Sequence, residues 1–166
     1  MLKKLGIIFI FGLPILIQAQ SVAERYGDRI ELLGIPFKGP LELCQILIAI
    51  ILAVTFLQSG IDKIIDRKGN LNFFKEHFSN SPLFGFTSLL LTVITFLEIL
   101  GALMLVYGIY YAFAERTTLW IFYGFVIIAL TIIALFTGQR LAKDYVGAAD
   151  LVSYFMRVML GIMSMY

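Results

Sequence analysis

The stretch Leu83–Phe113 decides the fold class: it reads LFGFTSLLLTVITFLEILGALMLVYGIYYAF and holds a single charged side chain, Glu98. About 20 apolar residues in a helix cross the hydrocarbon core of a bilayer, so this stretch is long enough to cross at a tilt. Its last turns carry Tyr107, Tyr110 and Tyr111, a residue type that is enriched at membrane–water interfaces. The stretch therefore predicts a membrane-spanning helix.

The 166-residue chain as a whole has the same character: 60% of its residues are hydrophobic and only 14% are charged. Soluble domains have about 45–50% apolar and about 25% charged residues, so a water-soluble globule is excluded. The formal net charge of +2 gives no support to a nucleic-acid partner. The single cysteine, Cys44, excludes a disulfide within the chain, and the single histidine, His77, excludes a bis-histidine haem site. The composition predicts the lipid bilayer as the main partner.

Three further apolar stretches complete the predicted architecture, which is an all-α, integral membrane four-helix bundle. Residues 61–82 mix apolar and charged side chains and predict amphipathic pieces at the membrane surface. We expect His77, within this segment, to be solvated. The four predicted spans lie at about 41–60, 83–113, 117–137 and 145–166, within a membrane domain at 41–166.

The N-terminal segment, residues 1–19, has the features of a secretory signal peptide. It begins with two lysines, continues through a short apolar run to Ile17 and ends at Ala19. The bulky Ile17 is unusual near a cleavage site, so an uncleaved signal anchor is the alternative. We favour cleavage after Ala19, with residues 20–40 forming an external lead-in.

Basic residues are distributed unequally between the two predicted sides of the membrane, eight on one side and four on the other. The richer side holds Lys3, Lys4, Lys63, Arg67, Lys68, Lys75, Arg140 and Lys143, and the poorer side holds Arg25, Arg29, Lys38 and Arg116. Basic residues favour the cytoplasmic side. We therefore expect a multi-pass protein of a bacterial inner membrane, with the mature N-terminus and the C-terminus outside.

Glu98 and Arg157 form the candidate intramembrane polar site. Each lies within an apolar stretch, where an isolated charge costs several kcal/mol. With the orientation above, a rise of 1.5 Å per residue places Glu98 about 18 Å and Arg157 about 16 Å from the cytoplasmic end of its helix. Similar depth predicts an interhelical ion pair. Such a pair either only locks the packing or forms a polar site for a quinone headgroup, a proton or a substrate anion.

No catalytic motif is present in the sequence. It contains no glycine-rich phosphate loop, no HExxH pair and no nucleophile elbow. His77 has no second histidine or cysteine at metal-ligand spacing. We therefore predict no catalytic residue, no metal and no cofactor held by this chain alone, and favour a non-catalytic membrane subunit over a stand-alone enzyme.

Three short motifs resemble the DoxX family. FLQSGIDK at 56–63 is similar to its F-x-x-x-G-x-x-K signature, EILG at 98–101 to its glutamate-then-glycine motif, and GQRLAKDYVGA at 138–148 to its polar turn before the last helix. Ala102 departs from the family, which often has a second glycine there. The resemblance gives the motif positions Gly60, Lys63, Glu98, Gly101, Gln139, Arg140, Asp144 and Tyr145.

The resemblance implies a membrane bundle associated with quinone-linked oxidoreductases, such as the small subunit of archaeal thiosulfate:quinone oxidoreductase. The expected function is a small membrane subunit or anchor of a redox complex, with a redox protein as partner and with quinone contact near Glu98 and Arg157. The alternatives are a small transporter and a scaffold or assembly factor. Homo-oligomerisation is also expected, because four helices expose much lipid-facing surface.

Overall fold

The computed structural model describes residues 30–165. The described residues divide into two compact units between Leu43 and Cys44. The predicted signal segment at 1–19, together with its cleavage site, lies outside the described residues.

The described part of the first unit contains a β-hairpin and the first residues of the helix that begins at Pro40. Strand β1 (Ile30–Leu32) pairs antiparallel with strand β2 (Ile35–Phe37), with Ile30 opposite Phe37. The two turn residues, Leu33 and Gly34, both have positive φ angles, 54° and 79°. A two-residue hairpin turn of this kind needs positive φ at both positions, and glycine adopts it without steric cost. The sequence analysis treats this region only as a lead-in and does not predict the hairpin.

Five helices follow, and four of them are long and apolar enough to cross a membrane. The prediction of an all-α membrane fold with four spans is therefore confirmed. The fifth, α2, is the short polar helix between the first two spans. The helices are α1 (Pro40–Ile65), α2 (Arg67–His77), α3 (Thr87–Ala114, preceded by the 3-10 turn Phe84–Phe86), α4 (Leu119–Leu141) and α5 (Tyr145–Met163).

Glycines allow α3 and α4 to pack closely. Gly101 lies against Ile128, and one helical turn further along α3, Leu105 lies against Gly124. The partner's number falls as the number on α3 rises, so the two helices run antiparallel. Without a hydrophobic driving force between helices in lipid, close backbone approach at small residues is a main source of association.

The remaining contacts of the second unit close the four spans into an up-and-down bundle. Gly161 of α5 packs under the ring of Phe125 on α4. Gln45 Nε2 on α1 donates to the backbone oxygen of Ser164, just past α5, at 2.7 Å. Gly60 on α1 lies against Ile99 on α3. Each span of this unit therefore touches two neighbours.

Large apolar side chains are exposed on every span. In water they would be unfavourable, whereas in a bilayer they face hydrocarbon. Examples from the four spans are Val54, Phe96, Leu130 and Leu160. These faces contact lipid.

Aromatic rings gather where α3 ends and α4 begins. The Tyr107 and Trp120 rings lie edge to face with centroids 5.2 Å apart, and Tyr111 packs against both of them. Tyrosine and tryptophan favour the headgroup level, where one end of the side chain is apolar and the other is wet. This cluster therefore marks one membrane–water interface of the bundle.

Substituting Gly108 by alanine tests the α3–α4 packing. A Cβ at Gly108 would lie 2.5 Å from the backbone nitrogen of Ile121, which cannot rotate away as a side chain can. We expect Gly108→Ala to destabilise the purified protein by about 1–3 kcal/mol, the usual cost of overpacking. The measurement is the midpoint of thermal unfolding in detergent.

Gly138→Ala is the matched control on α4. A Cβ there would meet the Phe78 ring at 3.5 Å, an ordinary contact, and alanine favours helix more than glycine does. We expect its midpoint to match or exceed that of the wild type. Equal midpoints for both variants would argue against the tight α3–α4 approach.

Candidate functional site

A buried carboxylate on α3 is the centre of the candidate site. Glu98 is only 1% exposed, in the middle of an otherwise apolar helix. Lys63 of α1 places its Nζ 3.1 Å from Glu98 Oε1 and 3.0 Å from Oε2. The Ser59 hydroxyl donates to Oε1 at 3.1 Å, and Lys63 Nζ donates to the Ser59 hydroxyl at 2.6 Å. Ser59, Lys63 and Glu98 thus form one connected polar cluster between two spans.

The length of α1 explains how Lys63 reaches Glu98. The helix continues five residues beyond the predicted end at Gly60 and stops only at Ile65. Lys63 lies in this extension, four residues after Ser59, so the two side chains share one helix face. Gly60, next to Ser59, lets that face approach α3 at Ile99. The backbone of α1 and the small residue at 60 together bring the ammonium to the carboxylate.

The two charges differ in their access to solvent. The Lys63 side chain is 13% exposed and the Glu98 side chain 2% exposed. A lysine near a helix end can extend its stem and return its ammonium to water. A carboxylate enclosed between spans has no such route. Glu98 therefore depends on the pair more than Lys63 does.

Arg157 lies elsewhere, and the predicted ion pair between Glu98 and Arg157 is wrong. The Arg157 guanidinium is exposed, lies 5.1 Å from the centre of the Tyr154 ring and bonds the Ser153 hydroxyl at 3.4 Å. Its polar contacts are on its own helix. Similar depth in the membrane does not show that two side chains meet, because it does not show which face of its helix each side chain lies on.

Two further motif positions, Gln139 and Asp144, belong to a second polar cluster, where α4 leads into α5. The imidazole Nε2 of His77 lies 2.6 Å from Gln139 Oε1 and 3.8 Å from Asp144 Oδ2. Asp144 also caps α5, because its Oδ1 accepts from the Gly147 backbone N–H at 2.9 Å. The structure thus brings Gln139 and Asp144 together with His77, at the end of α2.

Arg140, Tyr145 and Gly101 stay outside both polar clusters. The Arg140 guanidinium lies over the Tyr145 ring, 4.6 Å from its centre. Gly101 belongs to the α3–α4 packing seam described above. The contacts of these three residues are packing contacts and do not involve either polar cluster.

The sequence analysis missed His77 as a site residue. We expected it to be solvated, whereas it is half-buried, with its ring stacked on Phe73 at a centroid distance of 5.6 Å. The signal that could have found it is the periodicity of α2, where Phe73, Phe74 and His77 recur at helical spacing.

The fold and the buried ion pair define a small multi-pass membrane protein whose outer faces contact lipid. The family described as methylamine utilisation protein MauE matches residues 41–142, which include α1 from its second residue and all of α2, α3 and α4. The chain belongs to this family. Comparison with curated proteins and with solved structures found no match.

This membership corrects the resemblance to the DoxX family, which was wrong. The motifs on which the resemblance was based are short, and their residues are ones that many pairs of membrane helices use for packing. Gly60 permits close approach, and Lys63 with Glu98 neutralises a buried charge. Such features follow from the physics of packing helices in lipid and do not identify one family.

We expect removal of Lys63 and removal of Glu98 to reduce the stability by different amounts. Lys63→Met leaves the enclosed Glu98 carboxylate unpaired, and we expect a loss of about 3–5 kcal/mol, the usual cost of stranding a buried charge. Glu98→Gln leaves Lys63, whose ammonium can turn toward water, so its loss should be clearly smaller. The measurement is the fraction folded after purification, together with the thermal midpoint in detergent.

Arg157→Leu and Lys68→Met are the matched controls, because both remove a positive charge from an exposed position. We expect each to change the stability by less than about 0.5 kcal/mol. A larger loss for Arg157→Leu than for Lys63→Met would show that the wrong cation has been assigned to Glu98.

Proposed function

We propose that this protein is a membrane accessory subunit of a methylamine utilisation system, supporting a redox partner protein rather than carrying out catalysis by itself. The observation that carries the proposal is the match of residues 41–142 to the methylamine utilisation protein MauE family. That range includes three of the four spans and the Ser59–Lys63–Glu98 cluster. The match thus covers the part of the chain that contains the buried ion pair.

The chemistry of methylamine use suggests the kind of partner. One route for using methylamine is oxidation of its carbon–nitrogen bond, and in that route the released electrons must pass to an acceptor. A bundle embedded in the bilayer lies where membrane-soluble acceptors are found. We therefore propose that the partner is an amine-oxidising or electron-carrying protein, and that this chain holds it at, or assembles it on, the membrane.

Within this proposal the Lys63–Glu98 pair has a scaffolding role. It joins α1 to α3 across the bundle, and α2 follows α1 after a single residue, Asp66. Any partner that docks on α2 therefore rests on a helix whose position depends on α1. Loss of the pair should weaken partner support through loss of the fold.

We also propose the orientation given by the basic residues, in a bacterial inner membrane. The end of the bundle that holds Lys63, Arg67 and Lys143 is then cytoplasmic, and the aromatic cluster at the α3–α4 connection is outside. The C-terminus, after a fourth crossing, is outside as well.

Fusions at the C-terminus test this orientation. Alkaline phosphatase is active only outside the cytoplasm and green fluorescent protein fluoresces only inside, so we expect an active phosphatase fusion and a dark fluorescent fusion after Tyr166. Fusions in the turn at residues 142–144 should give the reverse pattern. A fluorescent C-terminal fusion would invert the proposed topology.

Deletion of the gene in its native host tests the proposed function. We expect oxygen uptake driven by methylamine to fall at least tenfold, while uptake driven by succinate, which needs no amine oxidation, stays unchanged. Complementation with the wild type should restore uptake, and complementation with Lys63→Met should not. Membrane levels of each variant are measured in parallel.

Two outcomes would contradict the proposal. Unchanged methylamine-driven uptake in the deletion strain removes the link to methylamine use. Wild-type amine-oxidising activity in broken cells, combined with lost methylamine accumulation in intact cells, would indicate the transporter alternative instead.

A further inference from the structure

The last span, α5, carries a polar stripe on a face that the rest of the bundle leaves uncovered. Among the 18 most apolar consecutive residues of each span, 17% are buried in α5 and 39% in each of the other three. Asp150, Ser153 and Arg157 recur at helical spacing on its exposed side and form the α5 stripe. Apolar side chains suit lipid, whereas ionisable side chains inside a membrane almost always face protein or a water-filled cavity. The α5 stripe therefore calls for an occupant other than lipid chains.

The guanidinium of Arg157 lies near the middle of its span. The central residue of the 19-residue helix α5 is Tyr154. The guanidinium bonds the Ser153 hydroxyl at 3.4 Å and lies 5.1 Å from the centre of the Tyr154 ring. The side chain thus points back toward the middle of the helix, in the direction that the Cα–Cβ bond favours. The nearer end of α5, at Met163, is about 9 Å away along the axis in the opposite direction, so the charge is not carried out to the headgroups.

Arg157 has no ion-pair partner within residues 30–165. The Glu98 carboxylate is paired with Lys63. The Asp150 carboxylate is two helical turns from Arg157, about 10 Å along the axis. Ser153 and Tyr154 offer a hydroxyl and a ring, which carry no negative charge. Most of the five N–H donors of the guanidinium therefore have no acceptor in the described part of the chain.

The depth of the guanidinium selects the kind of acceptor. Lipid headgroups lie at the two surfaces of the bilayer, about 15 Å from its middle, and a soluble protein does not reach that depth either. A second copy of this chain, related by a rotation axis along the membrane normal, would bring a second Arg157 to the same level. Like charges at one level repel strongly at low dielectric. The acceptor that fits is a carboxylate on a membrane-spanning helix of a different protein.

We propose that the α5 stripe is a docking surface for one membrane-spanning helix of a different protein, which carries an aspartate or glutamate near the middle of the bilayer. The Arg157 guanidinium pairs with that carboxylate, which can accept two parallel N–H donors at once. Asp150, five residues from the start of α5, lies nearer to the headgroups and to water. The proposed function rests on residues 41–142, which do not include α5, so the two proposals use different parts of the chain.

A synthetic helix is the first probe of this surface. The full-length protein is labelled with a donor dye at its single, exposed cysteine, Cys44, and reconstituted in phosphatidylcholine vesicles. The probe is an acceptor-labelled leucine–alanine helix of about 20 residues with one glutamate at its centre, which lies at the same depth in either orientation. A second peptide has glutamine at its centre. The measured quantity is the peptide-to-lipid ratio at half-maximal energy transfer.

We expect the glutamate peptide to reach half-maximal transfer at a ratio about tenfold lower than the glutamine peptide, the usual effect of one charged hydrogen bond. Arg157→Leu should remove this difference. Asp150→Asn is the matched control on the same face, and its ratio should stay within about twofold of the wild type. The thermal midpoint of each variant is measured in parallel. Should Arg157→Leu fail to fold, the comparison of the two peptides on the wild type decides the test.

Photocross-linking in membranes of the native host identifies the natural partner. The photoreactive residue p-benzoylphenylalanine is placed at Met156, which is exposed beside the α5 stripe, or, as control, at Phe96 on the exposed face of α3. We expect position 156 to cross-link to a spanning segment of another protein that contains an aspartate or glutamate, and position 96 not to do so. Arg157→Glu should abolish that cross-link. Replacing the partner's acidic residue by arginine should then restore it.

Several results would overturn the docking surface. Equal half-maximal ratios for the two peptides, or for the wild type and Arg157→Leu, would show that the guanidinium takes no carboxylate there. Cross-links between two copies would assign the face to a homo-oligomer, and cross-links within one copy would show that another segment of the chain covers it. Cross-links to lipid alone, or to a segment without an acidic residue, would also contradict the proposal. None of these results changes the methylamine phenotype of the deletion strain, so the two proposals fail separately.

Discussion

The Glu98 carboxylate imposes the constraint on which the rest of the structure depends. A charge enclosed between apolar helices requires a counter-charge, and Lys63 supplies it from α1. To do so, α1 must stay helical to Ile65 and must approach α3 closely at Gly60. These two requirements fix the position of α1 along α3. The glycine seam between α3 and α4 then positions the next helix.

The short helix α2 connects this constraint to the second polar cluster, formed by His77, Gln139 and Asp144. Asp66 alone separates it from α1 and caps it, since its Oδ1 accepts from the Gly69 backbone N–H at 3.0 Å. Arg67 of α2 donates to the Thr92 hydroxyl of α3 at 2.7 Å. The end of α2 therefore reaches the groove between α3 and α4, where His77 meets Gln139. The ion pair and the second polar cluster are separate sites on one continuous scaffold.

The four spans could be predicted from the sequence because any bilayer requires apolar segments of this length. Glu98 could be singled out because it is the one charged residue in the stretch Leu83–Phe113. The sequence did not predict the partner of Glu98. Lys63 was counted in a polar surface segment, since polarity alone does not show where a helix stops. Arg157 was favoured on depth, although the face of α5 that carries it is exposed. His77 and Gln139 are 62 residues apart, and only the packing of α2 on the bundle brings them together.

A double-mutant cycle between Lys63 and Glu98 tests the central claim most directly. Unfolding free energies are measured in detergent for the wild type, Lys63→Met, Glu98→Gln and the double variant, with a second cycle that pairs Glu98→Gln with Arg157→Leu. We predict that the double variant at 63 and 98 is more stable than Lys63→Met alone, because it contains no stranded charge, and that the second cycle is additive within about 0.5 kcal/mol. Additive losses in the first cycle, or coupling in the second, would contradict this account.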